Sequence, residues 1–222
     1  MIKAVIFDMD GVLINSEPFW KISEVEHFNS VGVPLTTEMC ETTVGMRIQE
    51  VTRRWHNKYP WDTSKKSFEK VEEEIIDGVI SLINESGIPI EGVYEMLEFF
   101  RSINLPMAIA SSSDIRIINS VIEKINIRQY FKVTHSAEFE EYGKPHPAIY
   151  LNTAKTLGVK PENCLAIEDS YNGLKSAKAA GMKTVVIPEK LFYDDRKFDI
   201  ADMKFHNLRE FNTECFQKLN LQ

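Results

Sequence analysis

Ile2-Lys3-Ala4-Val5-Ile6-Phe7-Asp8-Met9-Asp10-Gly11 is an apolar run that stops abruptly in two carboxylates and a glycine. The run is β-branched and aromatic, is too short for a helix with its own caps, and is bounded by a turn signal, so it reads as a buried strand. Asp8 and Asp10 then stand where that strand leaves its sheet, which in open α/β folds is where ligands bind. Two like charges about 4 Å apart cost about 4 kcal/mol at an effective dielectric of about 20. A shared proton, a basic partner or a bound cation can offset that cost.

Outward from this strand the pattern changes twice. Residues 18–31, 46–58 and 64–86 carry helical periodicity, as in Phe19, Ile22, Val25 and Phe28, then Val71, Ile75, Ile76, Val79, Leu82 and Ile83. No strand interrupts them, so residues 15–88 are expected to form a small helical unit. After Pro89 helices and strands alternate: helices over 92–103, 114–125, 147–157 and 170–180, and strands at 106–111, 132–134, 164–169 and 183–187. Strands separated by helices of that length imply βαβ units and a parallel sheet. The expected architecture is therefore α/β, a Rossmann-like parallel sheet core built from residues 1–14 and 89–222, with the helical unit inserted after the first strand.

The whole chain bounds the function classes. Its 222 residues carry a net charge of -7, which leaves no basic footprint for nucleic acid or an anionic membrane. No apolar run approaches the roughly 20 residues that span a bilayer, and Met1-Ile2-Lys3 leads straight into the strand without a signal-peptide pattern. Cys40, Cys164 and Cys215 are odd in number and widely spaced, which is neither a disulfide framework nor a zinc pattern. A reduced, cytoplasmic protein is expected, and, with no coiled-coil repeat, a monomer.

Four strand ends carry chemistry. The first gives Asp8 and Asp10. The second gives Ser111, Ser112 and Ser113, hydroxyls and free N–H groups at a helix start, which suit a phosphate. The segment after the third gives Lys144, held between Gly143 and Pro145, and the fourth gives Glu168 and Asp169. In a parallel sheet all four lie along one edge. One lysine cannot balance four carboxylates, and a shared proton relieves only one charge. A hard divalent cation fits the oxygen-rich set, with magnesium expected because it accepts a few carboxylates and keeps positions for water and a phosphate oxygen.

These elements together resemble the haloacid dehalogenase superfamily of phosphohydrolases: Asp-x-Asp-Gly-Val at 8–12, Ser111 after its strand, Lys144 in Gly-Lys-Pro-His-Pro, and Glu168-Asp169-Ser170, in the family's order. The helical insertion resembles that family's cap domain. Ser16-Glu17-Pro18-Phe19-Trp20, Val44-Gly45-Met46-Arg47-Ile48, Arg54-Trp55 and Tyr59-Pro60-Trp61 resemble the β-phosphoglucomutase-like branch, and within it bacterial phosphatases of 2-deoxyglucose 6-phosphate and hexitol phosphates.

The resemblance implies roles. Asp8 would be the nucleophile, forming an aspartyl-phosphate, and a magnesium ligand. Asp10 would protonate the leaving oxygen and then activate water, its backbone carbonyl also binding magnesium. Ser111, with Ser112 beside it, and Lys144 would hold the phosphoryl group, and Asp169 would ligate magnesium with Glu168 as a ligand or supporting partner. Trp20 is expected near the active site and Arg47 as a polar contact with substrate. A small phosphorylated sugar or polyol is the expected partner. A phosphomutase is the alternative, disfavoured because that branch carries a histidine where this chain has Trp20. A non-catalytic phosphometabolite sensor on the same scaffold is the second alternative.

Overall fold

The computed structural model describes residues 1–221. β1 (Ala4–Phe7) is buried along its whole length. Its side chains alternate, Ala4 and Ile6 entering one apolar cluster and Val5 and Phe7 another on the opposite face. Parallel strands flank it on both sides: β2 (Met107–Ser111), with Val5 opposite Met107, and β4 (Cys164–Glu168), with Ala4 opposite Cys164. β3 (Phe131–Ser136), β5 (Lys183–Val186) and β6 (Met203–Lys204) complete a parallel sheet of order β3-β2-β1-β4-β5-β6. β2 and β4 are also buried throughout, as expected where helices cover both faces of a parallel sheet.

The two faces differ in size. Ala4, Ala108, Ala110 and Ala166 present methyl groups to α7 (Ala148–Leu157) and α8 (Tyr171–Ala179), which leaves room for the fully buried Tyr150. On the other face Val5, Phe7, Ile109 and Ile167 meet α5 (Val93–Ser102) and α6 (Ile115–Lys124), with Phe7 set edge-on to Phe100 at 6.0 Å. The strand order reverses about β1, so the C-terminal ends of β1 and β4 bound a topological switch point, the usual ligand crevice of such sheets.

Beyond β1 the chain turns at Gly11, whose φ of +76° glycine takes without steric cost. Ile14 forms an antiparallel bridge with Pro89, and the Ile90 N–H returns to the Leu13 carbonyl at 3.1 Å. Between those points run α1 (Glu17–Ser30), α2 (Thr37–Cys40), α3 (Ile48–Lys58) and α4 (Phe68–Ser86). Gly78 lets α1 and α4 approach closely, since a Cβ there would stand 2.5 Å from Ser23 Oγ, whose hydroxyl donates to the Ile75 carbonyl at 2.8 Å. Phe28, Trp55, Val71, Ile75 and Ile83 of this helical unit belong to the same apolar cluster as Val5 and Phe7, so the unit packs continuously onto one face of the sheet.

The strands and helices expected from periodicity are present, with shifted ends. The helix expected from 64 starts at Phe68, because the Ser67 hydroxyl caps it by accepting the Lys70 N–H at 3.3 Å. Periodicity assigns no element beyond Ile187, where the structure has β6 and α9 (Thr213–Leu221). α9 is held by tertiary contacts: Phe216 lies 5.9 Å from Phe99 and 6.1 Å from Phe100, and Asn220 accepts the Ile2 N–H at 2.6 Å. No described helix is long and apolar enough to cross a membrane.

Candidate active site

Lys144 sits at the bottom of the crevice, 3% exposed, and all its donors are used. Its Nζ donates to Asp8 Oδ1 at 2.9 Å, to Glu168 Oε1 at 2.7 Å and to the Ala110 carbonyl at 3.2 Å. One ammonium thus ties the ends of β1, β2 and β4 together. The two buried carboxylates hold its pKa above the usual lysine range despite the burial that opposes it.

Glu168 is fully buried and saturated. Oε1 accepts from Lys144 and from the Tyr150 hydroxyl, while Oε2 accepts from the Asp169 N–H at 3.2 Å and from the Ser170 hydroxyl at 3.2 Å. Burial and the Glu168 charge hold the Tyr150 hydroxyl well above the usual tyrosine range, which keeps it a donor. Asp169 lies over Gly11: a Cβ on that glycine would stand 1.9 Å from Asp169 Oδ2, so no other residue lets the carboxylate approach the turn this closely.

Asp10 is gripped from both sides. Ser16 Oγ and Trp20 Nε1 donate to its Oδ1, the indole at 3.1 Å, and Ser111 Oγ and Ser113 Oγ donate to its Oδ2 at 3.2 and 2.6 Å. Two donors come from the start of the cap and two from the end of β2. The sequence reading leaves Ser16 unassigned and offers the Ser113 hydroxyl to a phosphate, whereas the structure turns it to Asp10. Ser112 turns instead to the cap and donates to the Gly45 carbonyl at 2.9 Å.

Arg47 is expected as a substrate contact, and the structure does not bring it to the cavity. Its guanidinium donates to Glu50 Oε1 at 2.6 Å and to the Glu140 and Ala137 carbonyls at 2.8 and 3.2 Å, tying the cap to the loop after β3. The cavity itself has a volume of about 50 Å³ and is lined by Asp8, Asp10, Trp20, Ser113 and Asp169, with Glu17, Lys21 and Glu24 along α1. Glu17, Lys21 and Glu24 are also unassigned from the sequence; the signal present is their i, i+4, i+7 spacing, a stripe that the buried Phe28 continues.

The electrostatics leave an excess of negative charge. Burial, with Glu168 and Asp10 nearby, pushes the Asp8 carboxyl up to about 7 even against Lys144. Burial and the charge of Asp8 raise Asp169 well above the usual range, and burial beside Asp10 pushes Glu17 up to about 8. Oxygens of Asp8, Glu168 and Asp169 all lie within 4.8 Å of one another. This all-oxygen, buried, under-neutralised set fits a hard divalent cation.

A carboxyl whose pKa is higher folded than unfolded makes the folded state bind more protons, so stability is full below the unfolded pKa and falls as pH rises through the folded one. Asp8, Glu17 and Asp169 all shift upward. In chelator the melting temperature is therefore expected to fall from about pH 5 to about pH 8, and saturating magnesium to flatten that fall. A melting curve independent of pH in chelator contradicts the charge excess.

The haloacid dehalogenase-like hydrolase family matches residues 2–181. The chain is 36% identical over 214 residues to hexitol phosphatase B of Escherichia coli (strain K12), covering 96% of each chain. It is 32% identical over 184 residues to a phosphorylated carbohydrates phosphatase of Thermotoga maritima, covering 82% of this chain and 83% of that one. Its fold matches the crystal structure of β-phosphoglucomutase from Clostridium difficile with a TM-score of 0.88 at 26% identity, over 99% of this chain and 97% of that one.

Proposed function

The chain belongs to the haloacid dehalogenase-like hydrolases and is a phosphoric monoester hydrolase, and on that premise we propose that it hydrolyses small hexose or hexitol phosphates through an aspartyl-phosphate on Asp8, with magnesium. The observation that carries this reading is the Lys144 knot. It holds Asp8 at the end of β1 with one oxygen bonded to the ammonium, beside a second carboxylate, Asp10, held by four donors.

Asp8 attacks phosphorus, and its oxygen forms the new P–O bond as the sugar oxygen leaves. Asp10 gives that oxygen a proton, then takes one from the water that releases phosphate. Lys144, whose three donors serve Asp8, the Ala110 carbonyl and Glu168, supplies positive charge beneath the phosphoryl group, and backbone N–H groups of the turn after Ser111 would hold its oxygens. Asp8, Asp169 and the Asp10 backbone carbonyl would hold magnesium, and Glu168, whose oxygens are already saturated, supports that set by fixing Lys144 and the Asp169 backbone. When bound, the ion neutralises charge on the phosphoryl group. The cavity of about 50 Å³ shares Glu17, Val44, Asp169 and Ser170 with a neighbouring one of about 340 Å³, so the cap opens to admit a sugar phosphate and closes again with α1 beside it.

Water is the expected acceptor. The histidine that the mutase branch carries at this place is here Trp20, whose indole N–H can only donate and does so to Asp10 Oδ1. The test is phosphate release from hexose, hexitol and shorter polyol phosphates, with magnesium and with chelator, alongside β-glucose 1-phosphate. Magnesium-dependent release is the expected result. Conversion of β-glucose 1-phosphate to glucose 6-phosphate without release makes the protein a mutase, and binding without turnover makes it a sensor. Asp10→Asn is expected to lower kcat by about 10²–10⁴-fold, the usual worth of general acid–base catalysis; an unchanged rate removes Asp10 from that role.

A further inference from the structure

The cavity above Asp8 and Asp10 is walled by one stripe of α1. Glu17, Lys21 and Glu24 recur at i, i+4 and i+7 on one face of that helix, and all three line the cavity. Two of them are accounted for: Lys21 pairs with Glu41, and Glu17, although it stands beside the like charge of Asp10, is only partly buried. Glu24 has no such account. It is 6% exposed, and among the described residues no nitrogen or oxygen donor is hydrogen-bonded to its carboxyl. Burial pushes its carboxyl up to about 7, against a hydrogen bond from the Cys40 thiol. The carboxyl is not sealed in the core, where Trp55 Nε1 is the one buried side-chain nitrogen or oxygen without a partner among the described residues; it lines the cavity, where a ligand can bring it a donor.

The position says which ligand. Trp20 donates to Asp10, and Glu24 follows Trp20 by one helical turn, about 6 Å along the axis. A substrate with phosphorus at Asp8 and its bridging oxygen at Asp10 extends its carbons along this stripe. An extended chain advances about 3.5 Å for every three bonds, so a chain of five or six carbons reaches Glu24 and a three-carbon chain stops short. We infer that Glu24 is a specificity-determining residue, accepting a hydrogen bond from a hydroxyl near the far end of a five- or six-carbon sugar or polyol phosphate. This rests on the phosphatase reading and deepens it.

The test is the ratio of kcat/KM values for three esters: sorbitol 6-phosphate, glycerol 3-phosphate and phenyl phosphate, which has no hydroxyl. Wild type is compared with Glu24→Leu and with Glu24→Met, a second apolar variant of similar shape. Both variants are expected to lower the sorbitol-to-phenyl ratio by about tenfold or more, the worth of a hydrogen bond to a charged group. The glycerol-to-phenyl ratio is expected to stay within about twofold, because that substrate never reaches Glu24. Partial loss of fold lowers all three rates together and cancels in the ratios. A sorbitol-to-phenyl ratio that does not fall, or an equal fall for glycerol 3-phosphate, overturns the role of Glu24 and leaves the phosphatase standing. No release by wild type from any of the three esters overturns both readings.

Discussion

Replacing Asp8 by Asn is expected to lower magnesium-dependent phosphate release by at least about 10⁴-fold while the protein still folds and melts cooperatively. Loss of a covalent nucleophile costs on that order because the residual rate comes only from binding and orientation. The fold is expected to survive for a specific reason. The Asn side-chain oxygen can still accept from Lys144, and the substitution removes a carboxyl that burial already pushes up to about 7. In chelator at about pH 8 the variant is therefore expected to melt at a higher temperature than the parent, since the destabilising charge is gone. Phosphate release and melting temperature are read on the same preparation. A residual rate within about tenfold of the parent removes Asp8 as nucleophile, and a lower melting temperature in chelator contradicts the charge excess.

The largest effect on stability is expected at Lys144. Lys144→Met keeps the length of the side chain but leaves Asp8 and Glu168 buried without their shared cation. Breaking a buried ion pair from one side typically costs about 3–5 kcal/mol, because the uncompensated charge stays in a poorly solvated place. Urea unfolding near pH 7.5 measures the loss, together with phosphate release, which should disappear. The sign of the pH dependence gives an independent check. Asp8 already binds its proton more tightly folded than unfolded, and loss of the ammonium that opposes this strengthens it, so the variant's stability is expected to recover as pH is lowered toward about 5. A loss under about 1 kcal/mol at neutral pH would mean that Lys144 does not anchor the three strand ends.

The parts of this molecule legible in sequence are those fixed by local chemistry. The apolar run ending at Asp8 is a strand because β-branched residues in a short buried run have few other homes, and Phe7-Asp8 places the carboxylate at its end. α1 and α4 are legible from their periodic apolar residues, Phe28 and Val71 through Ile83. Trp20 is singled out because its segment leaves the sheet just beyond Asp10, and the structure sets its indole on that carboxylate. What is not legible depends on partners distant in sequence. Arg47 reads the same whether it faces a sugar or the Glu140 carbonyl across the cap seam. Tyr150 carries no local sign that its hydroxyl will hold Glu168. α9 has few inward apolar residues, and it is the Phe99–Phe216 contact that places it. Ser113 and Ser111 are equivalent in the sequence, and only the turn after β2 brings both hydroxyls to Asp10.

The central claim is that the phosphoryl group passes through Asp8. The most direct measurement is rapid acid quench of the enzyme with magnesium and ³²P-labelled hexitol phosphate, followed by peptide mapping of the acid-stable label. The mechanism predicts transient label on the peptide that contains Asp8, lost on hydroxylamine treatment and absent in Asp8→Asn. Phosphate release at full rate with no label on that peptide at any quench time would contradict it and leave direct attack by water as the route.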